Sequence, residues 1–546
     1  MTASMPGIDD VEIKQSTVHG AGNGLFAKKA FAPGDVVLAL PRPYITELDI
    51  DRLGDSCAWC CSRAELNPEE RFKSQQMGLP TGFVEVKACT GCKKIKYCSK
   101  ACQAKAWKME HKYECKILAP PDRPPLPHVV RATVRLLRQI EAGDDAPKAI
   151  LRFDDKIEEI RKTDPKSYEE FSTLALGAWS FAGKPSKADL DVARHLFFAV
   201  NCNSLAFSSP LDAVKIGIGF DPLLCTANHS CDPNVFLVFN CPRTLLRANK
   251  PIAKGEEIFK SYRDDTNPFS VRQADLKDGY FFDCACTKCA KGPSLQEDAF
   301  AKPIDNLSQD WISKADDLIK KQEAEKIDTS WYTVGNNSSE AARRITALQA
   351  EAFRPWAAMK SIEPQFPGGK VPKIDVPDLE KALRVCLDSG MWPLTRQPVP
   401  FILRDLFGGY MTHGDIDRCL HVGLKKYFCV DEIVRPQFDH DRVFETWSLM
   451  QVVTIFSHPS KQAEASALAR KGCDTRILFL GLLVEVWEGL PKSYGRMESP
   501  IGQVVMTIWK TCVGEDAEVP QELRRQKEAA WPKLKAYAER IDLLKR

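Results

Sequence analysis

Apolar residues recur every three or four positions over Val129–Ala142, Ala149–Lys162 and Ala188–Val200, which predicts three amphipathic helices in the middle of the chain. The same period returns in Leu307–Lys326, Ser338–Met359, Val376–Asp388, Ile416–Lys426, Val443–Ser457 and Gln521–Leu544, predicting a long helical region of stacked pairs. Strand-like runs gather elsewhere. Val36–Leu38 follows the Pro33-Gly34 turn, Ile258 follows a similar turn at Pro251–Gly255, and Ile216–Phe220 and Val235–Asn240 lie between them. These patterns predict a small all-β core with helical flanks and a C-terminal helical domain, a multidomain α+β architecture.

The length of 546 residues, 44% of them hydrophobic, suits about two to four domains. A net charge of +3 is too small for the whole chain to act as a polyanion binder. Met1–Gln15 is polar and acidic, without the apolar stretch of a secretory signal. The longest apolar run, Ile477–Val484, stops at Glu485, well short of the roughly 20 residues a membrane span needs. No membrane partner is expected, and the nucleus, the cytoplasm or both are the expected locations. Thiols stay reduced there, so twenty cysteines point to metal rather than to disulfides.

Their spacing supports this. Cys57/Cys60, Cys89/Cys92, Cys98/Cys102 and His111/Cys115 are four close pairs, each able to place two donors on one turn. Two pairs close a tetrahedron around zinc, so eight donors make two sites. Nine lysines against two glutamates, Glu110 and Glu114, give Lys87–Lys116 a basic face that either solubilises the module or contacts phosphates. Pro120, Pro121, Pro124, Pro125 and Pro127 then form an extended spacer. Further along, Cys284, Cys286 and Cys289 form a Cys-x-Cys-x-x-Cys cluster that needs a fourth ligand.

Three other runs carry chemistry. Gly20-Ala21-Gly22-Asn23-Gly24 lets the backbone approach a ligand, but its spacing and surroundings are not those of a dinucleotide fold. Asn201-Cys202-Asn203-Ser204 reads by itself as a helix end. Asn228-His229-Ser230-Cys231-Asp232-Pro233-Asn234 packs polar side chains, a thiolate and a turn into seven residues, and Phe259-Lys260-Ser261-Tyr262 follows.

In this order the motifs resemble those of the SET and MYND domain-containing (SMYD-type) protein-lysine methyltransferases. The resemblance implies a SET domain in two parts, 1–56 and 201–265, divided by a MYND zinc finger (57–115) and a linker with a helical insertion (116–200). A post-SET zinc segment (266–292) and a tetratricopeptide-like helical domain (293–546) complete the expected organisation, although no clean 34-residue period is visible. It implies interleaved zinc ligation, Cys57 and Cys60 with Cys98 and Cys102, and Cys89 and Cys92 with His111 and Cys115. Cys61 is then a spare thiol. It also implies a third structural zinc on Cys231, Cys284, Cys286 and Cys289.

For the chemistry, the resemblance implies that Gly22, Asn23, Asn203, Asn228, His229, Tyr262 and Phe282 bind S-adenosylmethionine, with Phe282 on the adenine. Tyr262 and Tyr280 are the expected catalytic residues, one orienting the lysine amine and the other walling its channel. Cys231→Ser is expected to loosen the flap that carries Phe282, and His229→Ala to weaken cofactor binding with zinc retained. The implied activity is methylation of lysine in histone or non-histone proteins. The finger is expected to bind a proline-rich peptide or another protein, with nucleic acid as the alternative partner for its lysines. A catalytically silent zinc-dependent adaptor or transcriptional cofactor is the competing reading. Trp331, Trp356, Trp392 and Trp447 read as core anchors of the helical domain.

Overall fold

The computed structural model describes residues 8–63, 84–209, 215–240, 242–295, 297–333, 339–357, 375–496, 498–516 and 518–545. The ends of the helix expected over Ser338–Met359 and much of the spacer between Cys60 and Cys89 lie outside the described residues. Twelve strands are present among those described. They are β1 (Val11–Gln15), β2 (Asn23–Ala27), β3 (Val36–Leu40), β4 (Ile45–Leu48), β5 (Lys87–Ala88), β6 (Lys96–Tyr97), β7 (Leu205–Ser208), β8 (Lys215–Phe220), β9 (Asn228–His229), β10 (Val235–Asn240), β11 (Arg243–Ala248) and β12 (Glu257–Lys260).

The strands form three small sheets, β1-β2-β12-β9, β10-β11-β3 and β4-β8-β7, with β5-β6 as a separate ladder. Each of the three sheets joins residues from both sides of the finger and helical insertion, so neither part of the sequence completes a sheet alone. β12 runs antiparallel to β2, Ile258 opposite Leu25, and parallel to β9, Phe259 opposite Asn228 and Lys260 opposite His229. Apolar and β-branched side chains on β2, β3, β10, β11 and β12 close the core between the first two sheets, with Leu25, Val37, Leu246 and Ile258 inaccessible to solvent.

The middle helices differ from the periodic pattern. Ala149–Lys162 is not one helix: a 3-10 segment, Ala146–Arg152, is separated from the α-helix Ile157–Thr163 by a loop in which Lys156 takes a φ of 55°. Asp154 and Asp155 cap that loop by accepting the amides of Lys156 and Ile157, the local bonding by which aspartate breaks a helix. A helix without a counterpart in the periodic reading covers Pro165–Phe181. It starts where Asp164 accepts the Ser167 amide with Pro165 at the first turn, a strong start signal beside a weakly amphipathic sequence.

The expected C-terminal helices form, Val376–Asp388 and Ile416–Lys426 with the expected ends and Gln309–Ala324, Glu340–Ala357, His440–Ile455 and Gln521–Glu539 with shifted ones. Val399–His413, Gln462–Arg470, Thr475–Gly489 and Pro500–Cys512 join them. Val399–His413 is masked in the sequence by Pro400, Gly408 and Gly409, yet a proline in the first turn costs a helix no hydrogen bond. Trp392 and Trp447 are buried, whereas Trp331 and Trp356 are half-buried, the latter donating its indole N–H to Asp405 at 3.0 Å. No helix among the described residues is long and apolar enough to cross a membrane.

The helical region shares a core with the sheet. Ala39, Phe236, Val238 and Leu245 of β3, β10 and β11 pack in one cluster with the C-terminal helices. Polar clasps fix the contact: Arg247 donates from one nitrogen to the carbonyls of Gly34 (2.8 Å) and Pro491 (3.0 Å), and Asn240 donates to the Tyr494 carbonyl at 2.6 Å. Gly34 has a φ of 90°, and a Cβ there would also collide with the Lys492 side chain, so this turn requires glycine twice over.

On the opposite side the cysteine-rich finger docks through buried charge. Arg42 holds Glu110 with two 2.9 Å bonds, Arg135 reaches both Glu47 (2.9 Å) and Glu110 (3.2 Å), and Arg131 also pairs with Glu47. Removing one cation from such a cluster leaves a carboxylate buried without its partner. Arg135→Met is therefore expected to cost about 3–5 kcal/mol of stability. Urea denaturation with zinc present measures it, and a loss below about 1 kcal/mol would mean that water or Arg42 takes over the pairing.

Candidate active site and metal centres

Cys57, Cys60, Cys98 and Cys102 converge with their sulfurs within 4.8 Å of one another, as do the donor atoms of Cys89, Cys92, His111 and Cys115. This is the interleaved arrangement. In both, the chain doubles back just after the first pair: Cys61 N–H donates to the Cys57 carbonyl and Lys93 N–H to the Cys89 carbonyl, with Cys61 and Lys93 each at a φ of 59°. Cys61 stands outside the four-donor group. His111 presents Nε2 to the cluster because Nδ1 is bonded to the buried Glu114 carboxylate at 2.8 Å, which fixes the ring. Four-thiolate and three-thiolate-plus-imidazole donor sets with no open position suit structural zinc.

Cys231, Cys284, Cys286 and Cys289 make a third four-sulfur group within the same limit. It joins β9's continuation to the segment after the helix Phe269–Tyr280. Gln273 on that helix braces it, donating to the Cys284 carbonyl and accepting the Cys284 amide, both at 2.8 Å. Arg272 is buried beside the thiols. Burial opposes its charge, but the Cys231 and Cys289 sulfurs more than offset that and hold the guanidinium protonated. A tetrathiolate zinc carries a net charge of about −2, and Arg272 is its local countercharge.

The heptapeptide threads beside β12. Asn234 acts as its clasp: its amide N–H donates to the Phe259 carbonyl at 3.1 Å, and its side chain accepts the Phe259 amide at 2.7 Å and donates to the Glu257 carbonyl at 2.8 Å. At the other end the Asn228 amide reaches Ser16 Oγ (3.1 Å), the Asn23 carbonyl (3.0 Å) and Glu257 Oε1 (3.0 Å). Glu257 also accepts Ser16 Oγ at 2.8 Å, Thr17 N at 2.7 Å and Thr17 Oγ1 at 2.5 Å. Burial pushes its carboxyl up, but these donors pull it further down, so it stays ionised. One carboxylate thus pins the glycine-rich loop to the heptapeptide. Gly24 is obligatory here, because a Cβ would occupy the place of the Glu257 carboxylate.

Tyr262 closes the arrangement. Its amide donates to His229 Nδ1 at 3.0 Å, its hydroxyl to the Ala227 carbonyl at 3.3 Å, and its ring lies 4.8 Å from that of Tyr280 at a tilt of 43°. Tyr280 donates in turn to the Tyr262 carbonyl. Burial holds both phenols above their ordinary range, so they are neutral donors at physiological pH. Burial likewise pushes the His229 imidazole down to about 4. Because Nδ1 accepts the Tyr262 amide, the ring proton sits on Nε2, 3.2 Å from Cys231 Sγ.

Each residue singled out by the sequence has a definite place. Gly22 and Asn23 are exposed on the entry loop, and Asn228, His229, Tyr262, Tyr280 and Phe282 gather around the knot, with Phe282 and His229 rings 5.9 Å apart. Asn203 ends the helix Leu190–Asn203, its amide donating to Ala199 and Asp154 carbonyls, while its own carbonyl receives the Cys225 thiol. The His229 side chain also contacts the Cys231 sulfur and the Tyr262 amide, so it adjoins the third sulfur group as well as the knot. Glu257, Gln273 and Arg272 carry no motif of their own. Only Glu257 has a sequence signal, a carboxylate opening the strand that leads to Tyr262.

Residues 22–263 match the SET domain family model. The chain is 29% identical over 340 residues to the histone-lysine N-methyltransferase SMYD3 of Homo sapiens, covering 60% of this chain and 71% of that protein. It is 31% identical over 277 residues to the SET domain and MYND-type zinc finger protein 6 of Schizosaccharomyces pombe, 50% of this chain and 51% of the relative. A solved SET domain of LSMT bound to lysine and AdoHcy aligns over 95% of both chains at 12% identity, with a TM-score of 0.21.

Metal analysis of the purified protein is expected to give about three zincs, one for each sulfur-rich group. Cys231→Ser is expected to give two, and His229→Ala to release zinc from the third site to a chelator roughly 10–100 times more readily, the usual cost of losing a bond to a metal ligand. Unchanged release from His229→Ala would show that the Nε2–sulfur contact does not support the metal.

Proposed function

We propose that this chain, which matches the SET domain model over residues 22–263 and is similar to SMYD-type proteins, is an S-adenosylmethionine-dependent protein-lysine N-methyltransferase. The observation that carries the proposal is the convergence of the glycine-rich loop, the threaded Asn228-His229 strand and the Tyr262–Tyr280 pair, gathered from sequence positions over 250 residues apart.

The residues present fit the cofactor: an exposed Gly22-Asn23 loop, an adjacent asparagine amide and a nearby aromatic ring offer hydrogen bonds and a stacking surface. Gly22, Asn23, Asn203, Asn228, His229, Tyr262 and Phe282 are assigned to hold S-adenosylmethionine, which supplies an electrophilic methyl when bound.

The chain's own task is to present a neutral amine in line with that methyl. A lysine ammonium, with a reference pKa of about 10.4, has no lone pair, and burial among aromatic walls favours its neutral form. Tyr262 and Tyr280 form the walls. The Tyr262 hydroxyl, bonded to the Ala227 carbonyl at rest, is placed to orient the amine, and positioning of this kind supplies most of the rate in a simple displacement. Zinc at the third site has no open position and works through structure, holding the segment that bears Tyr280 and Phe282.

Substrates are histone or non-histone proteins, with the finger as the protein-docking module. Within Lys87–Lys116 the two acidic residues, Glu110 and Glu114, are turned inward and seven of the nine lysines are exposed, so this stretch of the finger presents a cationic face. Acidic stretches of a protein partner, or nucleic acid, fit that face.

Purified protein incubated with labelled S-adenosylmethionine and a nuclear or cytosolic extract is expected to label protein bands at lysine. Tyr262→Phe is expected to reduce labelling on the order of 100-fold with zinc content unchanged. Absence of any labelled band from the native protein would overturn the assignment in favour of a silent adaptor. Glu257→Gln is expected to raise the KM for S-adenosylmethionine several-fold by freeing the entry loop, with kcat nearly unchanged at saturation. The Glu257 contribution exists above the ordinary carboxylate range and disappears as pH falls through its lowered pKa, so the variant and native KM should converge only in acid.

A further inference from the structure

Lys260 is two residues before Tyr262 on β12, and only 5% of its surface is exposed. It lies in the Phe259–Tyr262 run, but no role is implied for its side chain there. A lysine with its ammonium this deeply buried normally has a carboxylate beside it, because an uncompensated buried charge is costly. Lys260 has none. Cys225 is the one titratable neighbour that favours its charge, and burial outweighs it, holding the amine below the ordinary lysine range.

Its Nζ donates to the Leu224 carbonyl at 3.3 Å and lies over the Tyr262 ring, 5.3 Å from the centroid. Leu224 belongs to the short helix Pro222–Cys225, which runs directly into Ala227, the acceptor of the Tyr262 hydroxyl. The next residue of that helix, Cys225, is buried and donates its thiol to the Asn203 carbonyl at 3.2 Å. The amine is therefore the strut behind the tyrosine: it ties the backbone that receives the phenol to the face of the same ring. The titratable groups facing it are Cys225 from the helix, His229 paired with it on β9, and Tyr262 just past the end of its own strand, with Tyr280 behind Tyr262.

We propose that Lys260 is a positioning residue for methyl transfer, and that the enzyme works in the state in which its amine carries no proton. The neutral amine keeps its hydrogen bond to Leu224 and holds Tyr262 in place. The protonated amine puts a positive charge behind the tyrosine wall of a site that must accept a cationic methyl donor and strip a proton from a substrate ammonium. Like charges across a low-dielectric wall oppose both events. This inference rests on the methyltransferase reading.

The test compares pH profiles of kcat and kcat/KM for the full-length zinc-loaded protein, Lys260→Met and Lys260→Gln, on a peptide identified from labelling with the native enzyme. Zinc content and S-adenosylmethionine affinity, measured by calorimetry, serve as controls for folding. Native kcat is expected to fall in acid with two ionisations, one from the substrate amine and one from Lys260. Lys260→Met is expected to lose the second and to drop on the order of tenfold at high pH, where the strut is missing. Lys260→Gln keeps a donor for Leu224 without a titrating proton, so it should recover most of that rate while retaining the simpler profile. If both variants keep the native pH profile merely scaled, or if neither changes rate, the role assigned to Lys260 is wrong although the enzyme stands. If either variant binds zinc and cofactor poorly, the other decides. Absence of methyl transfer by the native protein would sink both this inference and the activity itself.

Discussion

Two residue pairs of parallel β structure, Asn228 with Phe259 and His229 with Lys260, constrain everything around them. They place the heptapeptide one strand away from β2 across β12, and so bring the exposed Asn23 loop within reach of Asn228. A slip of one residue would turn every side chain of β9 and β12 to the wrong face. Asn234 prevents that slip by bonding to both Phe259 and Glu257, which locks the register from the side chain as well as the backbone. Glu257 then passes the constraint on to Ser16 and Thr17. Backbone pairing, one amide and one carboxylate are enough to build a ligand loop out of segments that have no local reason to meet.

The same short strand leads into the third sulfur cluster. Cys231 follows His229 by two residues, and its three partner cysteines come after the helix that ends in Tyr280. The imidazole between them contacts the sulfur with one nitrogen and the Tyr262 amide with the other. The third sulfur group and Tyr262 are thus one ring apart. In the finger the logic is repeated without chemistry: Glu114 holds His111, and Glu110 ties the module to Arg42 and Arg135.

Much of this was legible in the sequence because metal sites and threaded loops demand particular residue types at particular spacings. Spacing marks four close donor pairs and a three-cysteine cluster, the family resemblance sorts them into three groups of four, and the strands around the knot announce themselves by β-branched runs after Pro-Gly turns. What stayed hidden has common physical causes. Pro165–Phe181 and Val399–His413 begin with prolines or contain paired glycines, which read as breaks until caps and tertiary packing are considered. Arg272, Gln273 and Lys260 act through partners that only the fold brings together, such as Cys231, Cys284 and Leu224, so no motif of their own reveals them. The His229 ring shows a further limit: a motif identifies a residue, but not which of its two nitrogens has been claimed.

The pairing of Leu25 with Ile258 has a consequence for how the molecule is made. β2 leaves the ribosome more than 200 residues before its partner exists, and in the interval its apolar edge has no strand to satisfy it. Topology of such high contact order folds slowly and exposes sticky surface while it waits. The finger and the insertion helices lie between the two strands and have their own core and their own metal donors, so they can consolidate first and bring the waiting ends together. A divided domain of this kind makes zinc supply during synthesis, rather than after it, the step on which the yield of native protein turns.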